Sequence, residues 1–466
     1  MQAAHFLQSC YLRFNQLLTL LTVSKHPPGP TWLEEIEEAS RARQTNILDY
    51  LTFDSPRLMR KYGGIIRLSK KKYLIAEPEA FKHILKTKVS NFTKKNKTYD
   101  RIKLMFGKGL IVNEGIQWEK NRQLMQPVFD RQRLKQYATI MTDYTKTLLD
   151  SWEQKPLQPI SIAKEIRTLT LKIAFKVFST YEASPTELNT VIKLFDQGNP
   201  HLSFFPYLKP WVPFPSNLLF FYAVRRLNTL LKKIIHQRRQ ENSDKGDALE
   251  ILLRANQTQN LALSESALID EYKTILITGH ETTGCGLSWA CYLLAKHPEY
   301  WDLMATELKT VLEGRTPTLE DCPKLPLTKA IFLEALRLYP SIWVLPRTAV
   351  QSDEVCGYTI PARSDLLLNL YALHRNPMHW ENPETFYPPR FLGEEQTKRD
   401  PFSYLPFSVG PHACLGSNFG IMEGILVLAM IGQRFRLELI KPTKKVKPEP
   451  YVSLRLPEKV RMRIGA

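Results

Sequence analysis

The chain has 466 residues, 43% hydrophobic and 24% charged, ordinary values for a folded globular body that exclude a disordered, collagen-like or rod-like polypeptide. Its 64 Lys and Arg outnumber 46 Asp and Glu, and the formal charge of +18 favours contact with an acidic protein, a nucleic acid or an anionic membrane. The six cysteines are scattered, with no CxxC pair and no CxxCH haem-attachment site, which argues against a disulfide framework and for a reducing compartment.

From the amino terminus, Phe6 to Val23 is apolar but broken by Arg13, Asn15 and Gln16, so it reads as an amphipathic helix able to rest on a bilayer rather than cross it. It lacks the basic leader and cleavage pattern of a secretory signal. Pro27-Pro28-Gly29-Pro30 makes a hinge, which divides the chain into residues 1–30 and a single body over 31–466. Ser55-Pro56 predicts a helix start and Gly63-Gly64 its end. Strands are expected at Ile65 to Ser69 and Tyr73 to Ala76, around an exposed turn of three lysines, Lys70 to Lys72. From Glu79 to about Lys296 the pattern is almost wholly helical, as in Leu218 to Gln240. Phe204 to Pro215 interrupts it, too rich in proline for helix and too apolar for an ordinary loop; packing inward and touching lipid or an oily substrate are both open. Short strands return at Tyr358 to Leu370, Val452 to Leu456 and Val460 to Ile464. The fold class is therefore mainly α with small β-sheets.

Three stretches carry chemistry. A helix from about Ser264 to Lys296, stopped by His297-Pro298, contains Thr278-Gly279-His280-Glu281-Thr282-Thr283; three glycines (279, 284 and 286) and several β-branched residues weaken its centre and suggest a local distortion or close helix packing. Further on, Glu334 and Arg337 lie three apart on one side of an apolar helix, where charges persist only as a buried pair. Last comes Phe407-Ser408-Val409-Gly410-Pro411-His412-Ala413-Cys414-Leu415-Gly416, which sets a cysteine just ahead of a helical run. Helix-start amides favour a thiolate there. A buried structural cysteine is the plainer alternative, and a zinc site is weak because His412 and Cys414 supply only two ligands.

The last stretch resembles the haem-binding loop of the cytochrome P450 family, Phe-x-x-Gly-x-Arg/His-x-Cys-x-Gly, with matches at Phe407, Gly410, His412, Cys414 and Gly416. The other motifs occur in the family's order. Glu334 and Arg337 match Glu-x-x-Arg, completed by Arg390 in Pro388-Pro389-Arg390-Phe391, where Pro389 replaces the usual glutamate. Glu281 and Thr282 match the oxygen-activation motif, with Thr278 in place of its usual small residue, and Trp118 and Arg122 match Trp-x-x-x-Arg. The resemblance implies a triangular helical body with a long central helix over the haem and a small β-rich region. It makes Cys414 the axial iron ligand, His412, Trp118, Arg122 and Arg347 contacts of the haem propionates, and Glu281 and Thr282 the organisers of proton delivery. His280 falls at the motif's variable position and is expected to be a packed or solvated residue. The implied cofactor is haem b, with O2 as co-substrate and electrons from NAD(P)H through a partner. The implied activity is hydroxylation or epoxidation of a lipophilic molecule such as a fatty acid, terpene or steroid-like compound.

By the same resemblance the substrate pocket is formed around Tyr99, Ile102 and Phe106, Ile275 and Thr278, Ile342, Trp343, Val344 and Leu345, and Tyr451 and Val452. Lys120, Arg131, Arg133 and Lys135 are placed to dock an acidic ferredoxin, flavodoxin or flavoprotein reductase; a plain solvated basic face is the competing reading. A partner-independent peroxygenase, isomerase or dehydratase and a haem-based sensor are the alternative functions, and Thr282 argues for the monooxygenase. No nucleic-acid motif accompanies the charge. A monomer in the bacterial cytoplasm, with peripheral membrane contact open and the endoplasmic reticulum as second choice, completes the expectation.

Overall fold

The computed structural model describes residues 26–31, 47–154, 158–202, 215–241, 245–257, 263–440 and 446–465. The amphipathic segment Phe6 to Val23 and nearly all of Phe204 to Pro215 lie outside them.

Helix α1 (Ser55–Tyr62) ends as expected on Gly63, whose φ of +93° and N–H to the Met59 oxygen (2.8 Å) close it. Its start departs from expectation. A wider helical turn, Tyr50–Asp54, runs directly into α1, so Ser55 is helical (φ −58°, ψ −39°) and its hydroxyl donates back to Thr52 O at 2.9 Å instead of capping. Strands β1 (Ile65–Ser69) and β2 (Lys72–Ile75) form the lysine-tipped hairpin.

β3 (Phe92–Thr93), β4 (Val344–Ala349) and β7 (Asp365–Asn369) complete a five-stranded sheet of order β1-β2-β7-β4-β3, while β5 (Asp353–Val355) and β6 (Tyr358–Ile360) form a separate hairpin. The parallel β2–β7 pairing, Leu74 opposite Leu367, ties the beginning of the body to its last third. The tail strands are shorter than expected: β8 (Arg436–Leu439) pairs with β11 (Met462–Gly465), and β9 (Glu449–Pro450) with β10 (Leu454–Arg455).

The helical mass consists of α2 (Lys97–Phe106), α3 (Gly115–Met125), α4 (Arg131–Glu153), α5 (Ile162–Ser179), α6 (Pro185–Leu202), α7 (Pro215–Glu241), α8 (Ala248–Gln257), α9 (Glu265–Lys296), α10 (Pro298–Leu312), α11 (Pro326–Leu338) and α12 (Ser417–Arg434). α9 is the axis: 32 residues, about 48 Å at the usual rise. Ser264 caps it by accepting from Ala267 N, and His297-Pro298 hands over to α10. The expected distortion at its centre is absent, since α9 runs unbroken. The glycines serve close packing instead: a Cβ at Gly279 would lie 2.6 Å from Phe178, at Gly284 2.9 Å from Thr170, and at Gly286 2.9 Å from Leu336. These contacts seat α5 and α11 against α9, and the buried apolar faces of α4, α5, α9, α11 and α12 merge into one cluster.

Candidate functional site

Cys414 occupies the loop that feeds α12. Its N–H donates to Phe407 O (2.9 Å) and Ala413 N donates to Gly410 O (3.0 Å), closing a compact turn before the first helical amides. Gly410 is required twice over, by its φ of +76° and because a Cβ there would lie 2.0 Å from Leu85 O. The cysteine retains accessible surface, yet protein crowds it: burial pushes the thiol pKa up, opposed by the Gly416 N–H and by Arg122. A metal bound to such a sulfur deprotonates it outright and overrides the burial effect.

Beside the loop stands a group of cations. Arg122 on α3 donates to Ala413 O (2.9 Å) and lies over Trp118 at 5.5 Å, and the Trp118 and His412 rings are 4.0 Å apart between centroids. Arg347 on β4 is buried and donates to Tyr99 Oη (3.3 Å) and Pro346 O (2.8 Å). Lys94, which sequence reasoning missed, is also buried, its Nζ donating to Ile111 O at 3.0 Å. Burial, then repulsion from Arg347 and Arg122, opposed by Glu114, brings its pKa down to about 7. Burial and the same three cations, Lys94, Arg347 and Arg122, hold His412 down at about 3, and its buried Nδ1 has no hydrogen-bond partner among the described residues. A cluster this positive, balanced only by Glu114 and holding an orphaned imidazole nitrogen, fits a ligand that brings carboxylates. The two propionates of haem would meet that requirement, with Cys414 able to supply a sulfur ligand.

Over the centre of α9 the hydroxyls point back along the helix: Thr282 Oγ1 donates to Thr278 O (2.8 Å), Thr278 Oγ1 to Thr274 O (2.8 Å), and Ser341 Oγ to Thr282 O (2.6 Å). Glu281 is bound elsewhere. Its Oε1 accepts from Ser453 Oγ and Arg455 Nε, both at 2.6 Å, and Arg167 Nε stands 4.0 Å from Oε2. Against the cost of burial, Arg455, then Arg167 and His280, hold the carboxyl at about 2. His280 itself is buried against Leu276 O (2.9 Å), and burial lowers it to about 4. No sequence signal joined Glu281 to partners some 170 residues away.

Glu334, fully buried on α11, receives Arg337 through two bonds (2.7 and 2.8 Å), Arg390 Nε at 3.2 Å and Tyr387 N at 2.9 Å. Of the expected pocket residues, Tyr99, Phe106, Ile275 and Val344 are buried, while Ile102, Thr278, Ile342, Leu345, Tyr451 and Val452 are half-buried. Trp343 corrects the expectation. It is sealed in a core cluster with Leu51, Leu58 and Leu367, its indole N–H donating to Tyr451 O at 2.8 Å, with no exposure of its own.

Glu423 is among the buried acids that escaped sequence reasoning. Glu423 on α12 is 1% exposed, neither oxygen has a hydrogen-bond partner among the described residues, and the Thr283 hydroxyl is the group that eases it. Burial raises its pKa from 4.5 to about 8. The folded state therefore binds an extra proton between those values, and stability falls as pH rises through that window. Glu423→Gln is expected to match the parent near pH 5 and to exceed it by about 1–3 kcal/mol near pH 8. Urea unfolding at both pH values measures this; an equal difference at the two would contradict a neutral Glu423.

A model of the cytochrome P450 family matches residues 27–462. Cyclooctat-9-en-7-ol 5-monooxygenase of Streptomyces melanosporofaciens is 31% identical over 376 residues, 80% of this chain and 81% of that protein. Pentalenene oxygenase of Streptomyces avermitilis is 26% identical over 84% of this chain and 88% of its own length. Human cytochrome P450 4Z1 is 30% identical over 74% of this chain and 72% of its own length. Among solved structures, the heme domain of cytochrome P450DA superposes with a TM-score of 0.82 at 25% identity, covering 94% of this chain and 97% of that one. The chain belongs to the cytochrome P450 family, and with it to the haem-dependent oxidoreductases of the monooxygenase class. Proteins of this family generally take lipophilic substrates and electrons from redox partners. Among the described residues no helix is long and apolar enough to cross a membrane.

Proposed function

We propose that the chain is a haem b monooxygenase that hydroxylates or epoxidises a terpene-like hydrocarbon, using O2 and NAD(P)H-derived electrons from a separate acidic ferredoxin, flavodoxin or flavoprotein reductase. The observation that carries this reading is the pairing of a loop cysteine that keeps accessible surface, Cys414, with the cations Lys94, Arg122 and Arg347 gathered around the neighbouring His412. Haem bound through sulfur supplies O2 activation and O–O cleavage, which the electron-rich thiolate favours. The chain supplies the rest. Cys414 is the ligand, held by Phe407 O and the turn at Gly410. Arg122, Arg347, Lys94 and His412 would receive the propionates, with Trp118 held between Arg122 and the His412 ring.

Thr282 is the proton-handling group over the centre of α9. Its hydroxyl is parked on Thr278 O in a neutral, easily rotated hydrogen bond. Glu281, ionised and clamped by Arg455, accepts rather than donates at neutral pH; it passes a proton only when that clamp loosens. A terpene-like substrate is supported by the activities named for the two Streptomyces relatives and by the apolar residues Ile102, Phe106 and Ile275, which α2 and α9 bring into one cluster. For the redox partner, Lys120 and Arg131 are exposed, whereas Arg133 is engaged by Asp130 (3.5 Å) and Lys135 by Glu320 (3.5 Å). Residues 31–466 act as one catalytic unit behind the segment 1–30, in the cytoplasm, with that segment as the point of any membrane contact.

The test is a spin-state screen of the haem-loaded chain with cyclic terpenes and fatty acids, followed by turnover of the binders under 18O2 with surrogate ferredoxin and reductase. One labelled oxygen in the product is expected, and product formed without O2 consumption would contradict the reading. Thr282→Ala is expected to keep haem while diverting most electrons to hydrogen peroxide, lowering product per NADPH by about tenfold; undiminished coupling would remove Thr282 from proton delivery.

A further inference from the structure

The loop after α2 is laid directly on α9. Lys108 N donates to Asp270 Oδ2 (2.9 Å) and Leu110 N to Glu271 Oε2 (3.0 Å), so two consecutive carboxylates of α9 take two alternate amides of the loop. The loop's glycines permit the approach. Gly107 adopts φ +59° with the Asp270 carboxylate where a Cβ would stand, 2.0 Å away, and a Cβ on Gly109 would lie 2.0 Å from Thr274 Oγ1 and 2.8 Å from Asp270 O.

The remaining oxygens bind other elements. Glu271 Oε1 accepts from Asn121 Nδ2 of α3, and Asn121 Oδ1 accepts in turn from Gln117 Nε2 at 2.7 Å. Asp270 Oδ1 accepts from Lys273 Nζ (3.0 Å), which also donates to Asn228 Oδ1 of α7 (2.9 Å). Glu271, Lys273 and Asn121 are 1%, 2% and 2% exposed, so the Glu271 side of this polar knot lies inside the body, where each lost partner is costly, while Asp270 is half-buried and its bond to Lys108 N lies at the surface. The knot joins α3, α7, α9 and the loop at the carboxyl end of α2. The other end of α2 is fixed by its cap, Asn96 accepting from Thr98 N and Tyr99 N at 3.1 Å, and by the contact of Tyr99 Oη with Arg347.

We infer that Asp270 and Glu271 are positioning residues: by clasping Gly107-Lys108-Gly109-Leu110 they hold α2, with Ile102 and Phe106, as a fixed wall of the substrate chamber and so set which bulky ligands it accepts. The inference rests on the proposed haem-thiolate reading for the existence of that chamber. Burial raises Glu271 to about 7 even with the Leu110 N–H and Asn121 bonds opposing it, which marks the knot as held at a cost in solvation.

The test uses Asp270→Asn and Glu271→Gln, singly and together, in the haem-loaded full chain. Each amide keeps the shape but offers one acceptor oxygen where two donors arrive, so one loop or helix contact is lost. Two probes separate the possibilities: imidazole, which needs only the iron, and clotrimazole, whose bulk must fit against α2. Clotrimazole affinity is expected to weaken by about tenfold while imidazole affinity stays within about twofold, with the ferrous carbon monoxide spectrum of the parent unchanged. Gly109→Ala, which disturbs the clasp from the loop side, is expected to give the same split between probes. Equal weakening of both probes, or of neither, overturns the inference and leaves the haem-thiolate reading intact. A parent chain without the thiolate carbon monoxide signature overturns both.

Discussion

Arg337→Ala is expected to yield a chain that unfolds far more easily than the parent and does not retain haem. The Arg337 guanidinium makes two bonds to Glu334 and donates to His374 O (2.9 Å), Pro383 O (2.7 Å) and Thr385 O (3.1 Å), all with no exposure of its own side chain. Truncation removes the Arg337 donor from His374 O, Pro383 O and Thr385 O, of which Thr385 O keeps Arg390 Nη2 at 3.4 Å, and leaves Arg390 as the one cation still paired with the buried Glu334. Glu334→Ala leaves two guanidinium groups buried without their carboxylate. Breaking a buried pair by removing one partner costs about 3–5 kcal/mol, a large share of the roughly 5–15 kcal/mol that separates folded from unfolded chains. The exposed pair Glu79 and Lys82, at 3.1 Å, gives the contrast: Glu79→Ala is expected to cost under about 1 kcal/mol. Denaturant unfolding of the three variants decides the matter, and a loss at Arg337 no larger than at Glu79 would mean that the buried network is dispensable.

Cys414→His and Cys414→Ala address the chemistry rather than the fold. The residue sits in a loop closed by backbone bonds, Cys414 N to Phe407 O and Ala413 N to Gly410 O, that do not involve its sulfur. Neither substitution therefore disturbs the loop's backbone, and both are expected to fold. The histidine variant is expected to bind haem with the spectrum of a nitrogen ligand, the alanine variant to hold it loosely, and both to lose monooxygenation by a factor on the order of a thousand or more. Turnover in the alanine variant close to that of the parent would remove sulfur from the mechanism.

What the sequence revealed and what it hid follow from the range of the forces involved. The limits of α9 were legible because both are local: a serine cap before Glu265 and His297-Pro298 after Lys296. Strand β1 was legible for the same reason. The cysteine loop was legible because glycine, proline and cysteine at fixed offsets encode its turn.

Ser55 was misread because its capping chemistry yields to a helical turn that precedes it. Trp343 was assigned to the pocket because an apolar segment does not declare which of its side chains face inward. Lys94 was passed over because a lysine beside Lys95 looks like a solvated surface until Arg122, Arg347 and His412, contributed by other elements, close around it. Glu281 was matched with Thr282 to the oxygen-activation motif, but its bonds to Ser453 and Arg455 from the far end of the chain left no local sign in the sequence. Local pattern gives elements; the partners of buried charges come only with tertiary structure.

The most direct test is the carbon monoxide difference spectrum of the full chain, loaded with haem and reduced by dithionite at neutral pH. A strongly red-shifted Soret band, the mark of sulfur ligation, is the result predicted from Cys414, which would hold the haem beside the cation cluster. A band at the position of histidine-ligated haem, or no haem bound at all, would contradict it.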